Sequence, residues 1–496
     1  MNYKMVLNIL GKTMLVSAGL MLLPMFVGFI YQENNFINFL VPILIFLVLS
    51  VPTLFIKIKD RSIYAKEGFV IVALAWIVLS LIGALPFIIG GEIPNYVDAL
   101  FETISGFTTT GSTILSGEQI EGLSKASSFW RIFTHWIGGM GVLVFVLAVV
   151  PNDNQGIMHV YRSETPGPSS SKLVSKIKIT TRILYLIYVG MTILEIILLL
   201  FSGISFYESV LTAFSTAGTG GFSIYGDSVA HYANVGNPNA VYIEMVVASF
   251  MFLFGVNFNV YYLILTGGIL KAIGSEELRA YFILTLSAVI IIALNILSTV
   301  ANFGEAIRYS FFQVASISST TGFISYDFEQ WPGLSKAILL LLMLVGGCGG
   351  STGGGMKVSR VVILGKSIGQ DVRKMLHHRA TTSFRFEKEP VSRHIERGVR
   401  THMLLWLIIV VFSTLVLSID TFADTASGSI ITNLSSSITC ISNVGPGFGK
   451  LVGATGNFAG FSSFSKVILS VVMLAGRLEI LPILILFSPH TWIKGK

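Results

Sequence analysis

Apolar runs long enough to cross a bilayer recur from end to end of this 496-residue sequence, starting near residues 6, 37, 68, 129, 180, 241, 277, 334, 397 and 464. A transmembrane helix needs about 20 largely apolar residues, so the pattern predicts roughly ten spans. Inside a bilayer every backbone N–H and C=O must be bonded within the protein, and runs of this length do that as helices. Charged residues are 12% of the chain, against about 25% in soluble domains. That deficit excludes a soluble enzyme and a disordered scaffold. Cys348 and Cys440 lie in glycine- or serine-rich stretches and form no disulfide framework.

The net charge of +7 sits on alternate connections. Lys57, Lys59, Arg61 and Lys66 lie in one; Arg162, Lys172, Lys176, Lys178 and Arg182 in the next; Lys366, Arg373, Lys374, Arg379, Arg385, Arg393, Arg397 and Arg400 in the third. The intervening connections carry Glu92, Asp98, Glu102, Glu118 and Glu121 with Lys125, then Asp227, then Asp327 and Glu329. Cytoplasmic loops collect Lys and Arg, which predicts basic connections inside and both termini cytoplasmic. The first run, Met14 to Tyr31, has no small-residue cleavage site after it and reads as a retained helix. The positive charge is thus explained by topology, without nucleic acid.

Four outward segments resemble one another: Ile104 to Thr113, Leu211 to Phe222, Ala315 to Phe323 and Cys440 to Gly447, each rich in Gly, Ser or Thr. Each follows a short half-helix and precedes another apolar run. Repeats of this kind define architecture. The expected fold is an all-α polytopic membrane protein: about ten transmembrane helices, in four pseudo-repeated helix–pore-loop–helix units around one pore, plus an N-terminal helix pair. The expected boundaries are residues 1–60 for the pair, then repeats at 61–155, 156–272, 273–370 and 371–496, with pore loops at 96–115, 205–225, 304–327 and 426–450. Non-helical backbone at membrane depth is tolerated only where it is buried in protein or lines a watery cavity. Glycine can turn carbonyls toward a shared axis, rings of carbonyls select potassium, and a half-helix aims its negative C-terminal end at that axis. Ordinary extracellular loops would share the composition but not the fourfold placement.

The loops, with Arg162 to Pro168, the run Gly346 to Lys357, Asn443 to Gly447, and Gly476 to Glu479, resemble the TrkH/TrkG branch of the bacterial potassium-uptake superfamily, which also includes KtrB and the plant HKT transporters. The resemblance covers essentially the whole chain, and the N-terminal pair favours this branch over KtrB. It implies a bacterial inner-membrane potassium uptake protein, a homodimer with one pore per protomer, and a cytoplasmic TrkA-type regulatory ring carrying NAD, ATP or ADP. This chain has no nucleotide fingerprint and no covalent cofactor is expected; potassium is the cargo. The implied filter comprises Thr109, Thr110, Gly111, Thr320, Thr321, Gly322, Asn443, Val444 and Gly445. In the second repeat two registers stay open: Thr216, Ala217, Gly218, Thr219 and Gly220 read like a potassium-channel filter with its glycine at 218, whereas the branch pattern keeps Gly220-Gly221-Phe222. Glycine at 111, where sodium-selective HKT members have serine, favours potassium.

Gly346, Gly347, Gly349, Gly350, Ser351, Thr352, Gly353, Gly354, Gly355 and Lys357 interrupt what would be a helix from Leu334 to Leu364. Each glycine costs a helix about 1 kcal/mol relative to alanine. By resemblance this is an intramembrane gating loop; a close-packed glycine seam is the structural alternative. Gly349 to Gly353 matches a nucleophile-elbow pattern but lacks a preceding strand and a base, and Gly350 to Lys357 fails the phosphate-loop spacing; no enzyme is expected. Arg477 sits inside an apolar run, where a charge costs roughly 2.5–3.5 kcal/mol, and the resemblance makes it an electrostatic barrier below the filter. His135 reads as a packing residue. Coupled symport would need intramembrane carboxylates, for which Glu195, Glu244 and Glu479 are the candidates, and a non-conducting anchor or sensor subunit is the alternative of another class. The basic stretch 357–400 is the expected docking face for the regulatory ring.

Overall fold

The computed structural model describes residues 1–56, 58, 64–141, 177–377, 384–420, 429–449 and 451–492. The Arg162 to Pro168 motif, Arg379 and the start of the fourth loop lie outside the described residues. Apart from one short hairpin, Arg385–Phe386 paired with Glu389–Pro390, the described elements are helical.

Among the described residues, six helices are long and apolar enough to cross a membrane: Tyr3–Ile30, Phe36–Leu54, Lys66–Ile89, Thr181–Leu200, Glu276–Asn295 and Arg393–Ile419. They are the N-terminal pair and the outer helix of each repeat. The remaining four predicted spans are different in kind. They are the inner helices Lys125–Gly139, Ala240–Phe254, Gly333–Val345 and Ser463–Arg477, of 15, 15, 13 and 15 residues. At 1.5 Å per residue such helices reach only about 20 Å, short of a ~30 Å hydrocarbon core. Each stops where the sequence supplies a breaker: Met140-Gly141, Gly255, Gly346, and the left-handed pair Glu479 and Ile480. The second resumes as Phe258–Leu265 after a 93° bend. The expected all-α architecture of many apolar helices is what the structure has; among the described residues six helices are long enough to span, or seven if the bent pair Ala240–Phe254 and Phe258–Leu265 is one span.

Between outer and inner helix of each repeat lies a short helix: Tyr96–Phe107, Phe206–Gly218, Phe303–Ser318 and Ile430–Ser442. Their N-termini are built to sit against water. Asn95, Ser205 and Asn302 accept from backbone amides of the first turn, and Asp98, Glu208 and Glu305 add a negative charge there. Their C-terminal halves are serine- and threonine-rich yet buried, with Ser105, Ser215, Ser316 and Ser442 fully enclosed. Amphipathic helices that bury their polar ends direct those ends to a common interior.

Candidate cation pathway

All four short helices end in the same turn. Thr109, Thr219, Thr320 and Asn443 adopt left-handed backbone, with φ of 54°, 52°, 63° and 53°, which is uncommon for non-glycine residues. The amide of the following residue donates to the carbonyl five positions back: Thr110 to Ser105 (2.9 Å), Gly220 to Ser215 (3.0 Å), Thr321 to Ser316 (2.8 Å) and Val444 to Thr439 (3.1 Å). A glycine comes next, Gly111, Gly221, Gly322 and Gly445, with φ between 79° and 107°. These two repeated signatures align the four turns. In the second repeat Gly221 takes the position of Gly111, while Gly220 matches Thr110 and Thr219 matches Thr109. Ala217 and Gly218 are the last residues of the helix behind it.

The four strands close into a ring. A Cβ added to Gly111 would collide with the carbonyl oxygen of Gly220, one on Gly221 with that of Thr321, and one on Gly322 with that of Val444. One on Gly445 would lie 2.8 Å from the carbonyl oxygen of Thr110. Each glycine is thus needed twice, for its positive φ and for the backbone it admits. On the loop side a cavity of about 80 Å³ is lined by all four glycines.

Hydroxyl contacts brace the strands. Thr108 and Thr110 hydroxyls are 2.7 Å apart, as are those of Ser319 and Thr321. Asn443 Nδ2 donates to the Thr110 hydroxyl (2.8 Å) and the Met473 carbonyl (3.0 Å). A buried ion pair braces the first strand: Arg131 Nε lies 2.6 Å from Glu102 Oε1, with side chains 2% and 0% exposed. Glu102 also accepts from the Thr113 hydroxyl and the Ile114 amide, while Arg131 donates to the Ser223 carbonyl and covers the Phe222 ring. The pair therefore ties the first loop to the second. Glu102→Gln leaves the Arg131 charge buried without its counter-ion, and such losses cost about 3–5 kcal/mol. Thermal unfolding in detergent should show the variant destabilised by about that amount.

The glycine-rich segment between Val345 and Val358 folds as a loop at the C-terminal side of this ring. A Cβ on Gly353 would meet the Ser319 carbonyl, and one on Gly354 the Ser442 carbonyl. The Gly354 amide donates to the Thr320 hydroxyl at 2.5 Å, Cys348 N to the Gly255 carbonyl at 2.9 Å, and Thr352 Oγ1 to the Phe254 carbonyl at 3.2 Å. Gly346 and Gly355 close the base of the loop against each other, and Gly347 packs against Ser351. Gly350 packs on Asn257, and Gly349 N donates to Glu277 Oε1 at 2.7 Å. Lys357 Nζ bonds the Gly353 carbonyl, so the lysine is consumed inside the loop. The Ser351 hydroxyl donates to the Cys348 carbonyl (2.8 Å) and serves the turn.

Arg477 joins the loop to the helix ends. Its guanidinium donates to the Thr352 carbonyl (2.8 Å), the Gly139 carbonyl (2.6 Å) and the Gly138 carbonyl. It thereby satisfies carbonyls that the end of the first inner helix leaves open. The polar reason for a charge at this depth is a bundle of backbone acceptors. Glu479 does not pair with it but with Arg360.

Of the two registers left open in the second repeat, the structure has the one that carries Gly220-Gly221-Phe222. Two further residues that the structure brings to this region, Arg131 and Glu277, were not singled out in the sequence. Arg131 was discoverable by the signal that exposed Arg477, a charge inside an apolar run. Glu277, whose carboxylate also accepts from Ser359 N at 3.1 Å, sits in a Ser-Glu-Glu helix start that reads as a cap.

The family model for TrkH, described as a cation transport protein, matches residues 33–494. The Trk system potassium uptake protein TrkH of Salmonella typhimurium is 33% identical over 99% of this chain and 100% of its own. That of Escherichia coli is 32% identical over the same shares. The crystal structure of the potassium transporter TrkH from Vibrio parahaemolyticus superposes with a TM-score of 0.86 at 28% identity, covering 99% of this chain and 100% of that one. The chain is a multi-pass membrane transporter, not an enzyme, and it belongs to the TrkH family of cation transport proteins.

Proposed function

We propose that this protein takes up potassium across the cytoplasmic membrane through a gated, channel-like pore. The observation that carries the reading is the closed ring of Thr110, Gly220, Thr321 and Val444 carbonyls, each seated on the glycine of the neighbouring repeat. The filter residues are Thr109 to Gly111, Thr219 to Gly221, Thr320 to Gly322 and Asn443 to Gly445. Four helix C-termini, each carrying about half a negative charge, face that ring and favour a cation. Carbonyls in such a ring replace a hydration shell. The loop from Gly346 to Lys357 is the gate, and Arg477 is both its anchor and a positive barrier below the filter.

Transport is passive. A potential near −150 mV is worth roughly 3.5 kcal/mol per monovalent cation, enough to sustain a gradient of roughly several hundredfold. Of the three candidate coupling carboxylates, Glu195 is fully buried, whereas Glu244 pairs with Arg308 at 3.3 Å and Glu479 with Arg360; the two ion pairs favour conduction over proton symport. The exposed Arg373, Arg393 and Arg397 offer a docking face to a cytoplasmic TrkA-type ring, which would carry the regulatory nucleotide. The assembly is a homodimer in the inner membrane with cytoplasmic termini.

The test is rubidium and sodium flux into liposomes holding the purified chain under an imposed potential. Rubidium uptake that potassium blocks and sodium does not supports the pore. No cation flux from correctly folded protein would sink it in favour of a non-conducting subunit.

A further inference from the structure

Three of the four middle residues of the filter strands have a side chain with which to hold themselves in place. Thr110 bonds to Thr108 and Asn443, and Thr321 bonds to Ser319. Val444 is fully buried in the main apolar core. Gly220 has nothing. Its φ is not in the left-handed region, so the backbone does not require glycine there. Space does: a Cβ at Gly220 would overlap the imidazole of His135, whose ring atoms occupy the place of the missing side chain.

His135 comes from the inner helix of the first repeat and is fully buried. Its ring stacks on Phe222 with centroids 4.2 Å apart, and Nδ1 lies 3.4 Å from the Ser215 hydroxyl. Ser215 is also the residue whose carbonyl receives the Gly220 amide. The His135 backbone carbonyl abuts Gly218. The imidazole therefore touches the strand, its anchor and the residue that follows it. Among the described residues, Nε2 is buried with no hydrogen-bond partner, so the ring is placed by packing and by Ser215.

We propose that His135 is the positioning residue of the second filter strand and that it sets potassium-over-sodium selectivity by fixing the Gly220 carbonyl. The inference rests on the filter reading above. Selectivity by cavity size or by carbonyl field strength alike depends on where that oxygen sits. A residue that merely held the fold would change stability or total flux and leave the ion ratio alone.

Rubidium and sodium fluxes are compared in liposomes for the parent chain, His135→Ala, Gly220→Thr and the double variant. The expected result for His135→Ala is a fall of about fivefold or more in the rubidium-to-sodium ratio, equivalent to about 1 kcal/mol. Gly220→Thr, forced against the ring, should lower the ratio as well. The double variant, in which threonine fills the vacated space, should return closer to the parent than either single change. His135→Asn stands in if His135→Ala does not fold. A parent chain with no selective flux defeats the filter itself. Selective parent flux with an unchanged ratio in folded His135 variants overturns only the role of His135.

Discussion

Gly111→Ala and Gly221→Ala each remove selective rubidium uptake, lowering the rubidium-to-sodium ratio by at least about tenfold. Two costs combine at each site. An L-residue in left-handed backbone costs about 1–2 kcal/mol, and the new Cβ collides with a carbonyl oxygen, that of Gly220 or Thr321. That oxygen belongs to the ring itself, so relief of the collision moves a filter carbonyl and not a surface atom. Because every glycine in the ring seats its neighbour's carbonyl, displacement in one strand passes to the next. Gly190→Ala, in the second outer helix with no atom within 4 Å of the new Cβ, should leave flux unaltered and stabilise the helix by about 0.5–1 kcal/mol. Equal, large effects at 111 and 221 establish the backbone register. Normal selectivity in Gly221→Ala would return the second filter position to Gly218 or Gly220.

The sequence resolved features that depend on composition and spacing, and lost those that depend on which backbone meets which. Outer helices such as Arg393–Asp420 were legible because a long apolar run in lipid has one low-energy form. The inner helices share the composition but stop early, since Gly255 and Gly346 allow the chain to turn where the neighbouring loop donates to its open carbonyls, as Cys348 N does to Gly255 and Thr352 Oγ1 to Phe254. Composition cannot report such partners. The same limit explains the second filter strand. Gly218, Gly220 and Gly221 are interchangeable in a pattern, and only the Gly220 amide on Ser215, with the positive φ of Gly221, orders them. Arg477 was found because an isolated charge among apolar residues is expensive. Its role as a carbonyl collector needed residues 338 and 339 positions away in the chain.

A chain shortened by deletion of Gly349 to Gly355 should conduct rubidium at least about tenfold faster than the parent. Arg477→Ala should raise flux less, by about threefold. The loop presses backbone onto two helix ends at the Ser319 and Ser442 carbonyls, so on the proposed pathway a cation leaving the ring would meet protein and not water. Its hold is distributed: Glu277 on Gly349, Thr320 on Gly354, Gly255 on Cys348 and Arg477 on Thr352. Each charge-assisted bond contributes about 1.5–3 kcal/mol, so losing Arg477 loosens the loop without removing it. The Arg477→Ala change also takes a positive charge from the exit path. The two effects separate with Arg477→Lys, which keeps the charge but has no planar fork to span three carbonyls. Flux near that of Arg477→Ala would make anchoring the main function of the residue, whereas flux near the parent would make it the electrostatic barrier. If the shortened chain, shown to be folded, conducts no faster than the parent, the loop is not the gate. The obstruction must then be sought elsewhere on the pathway.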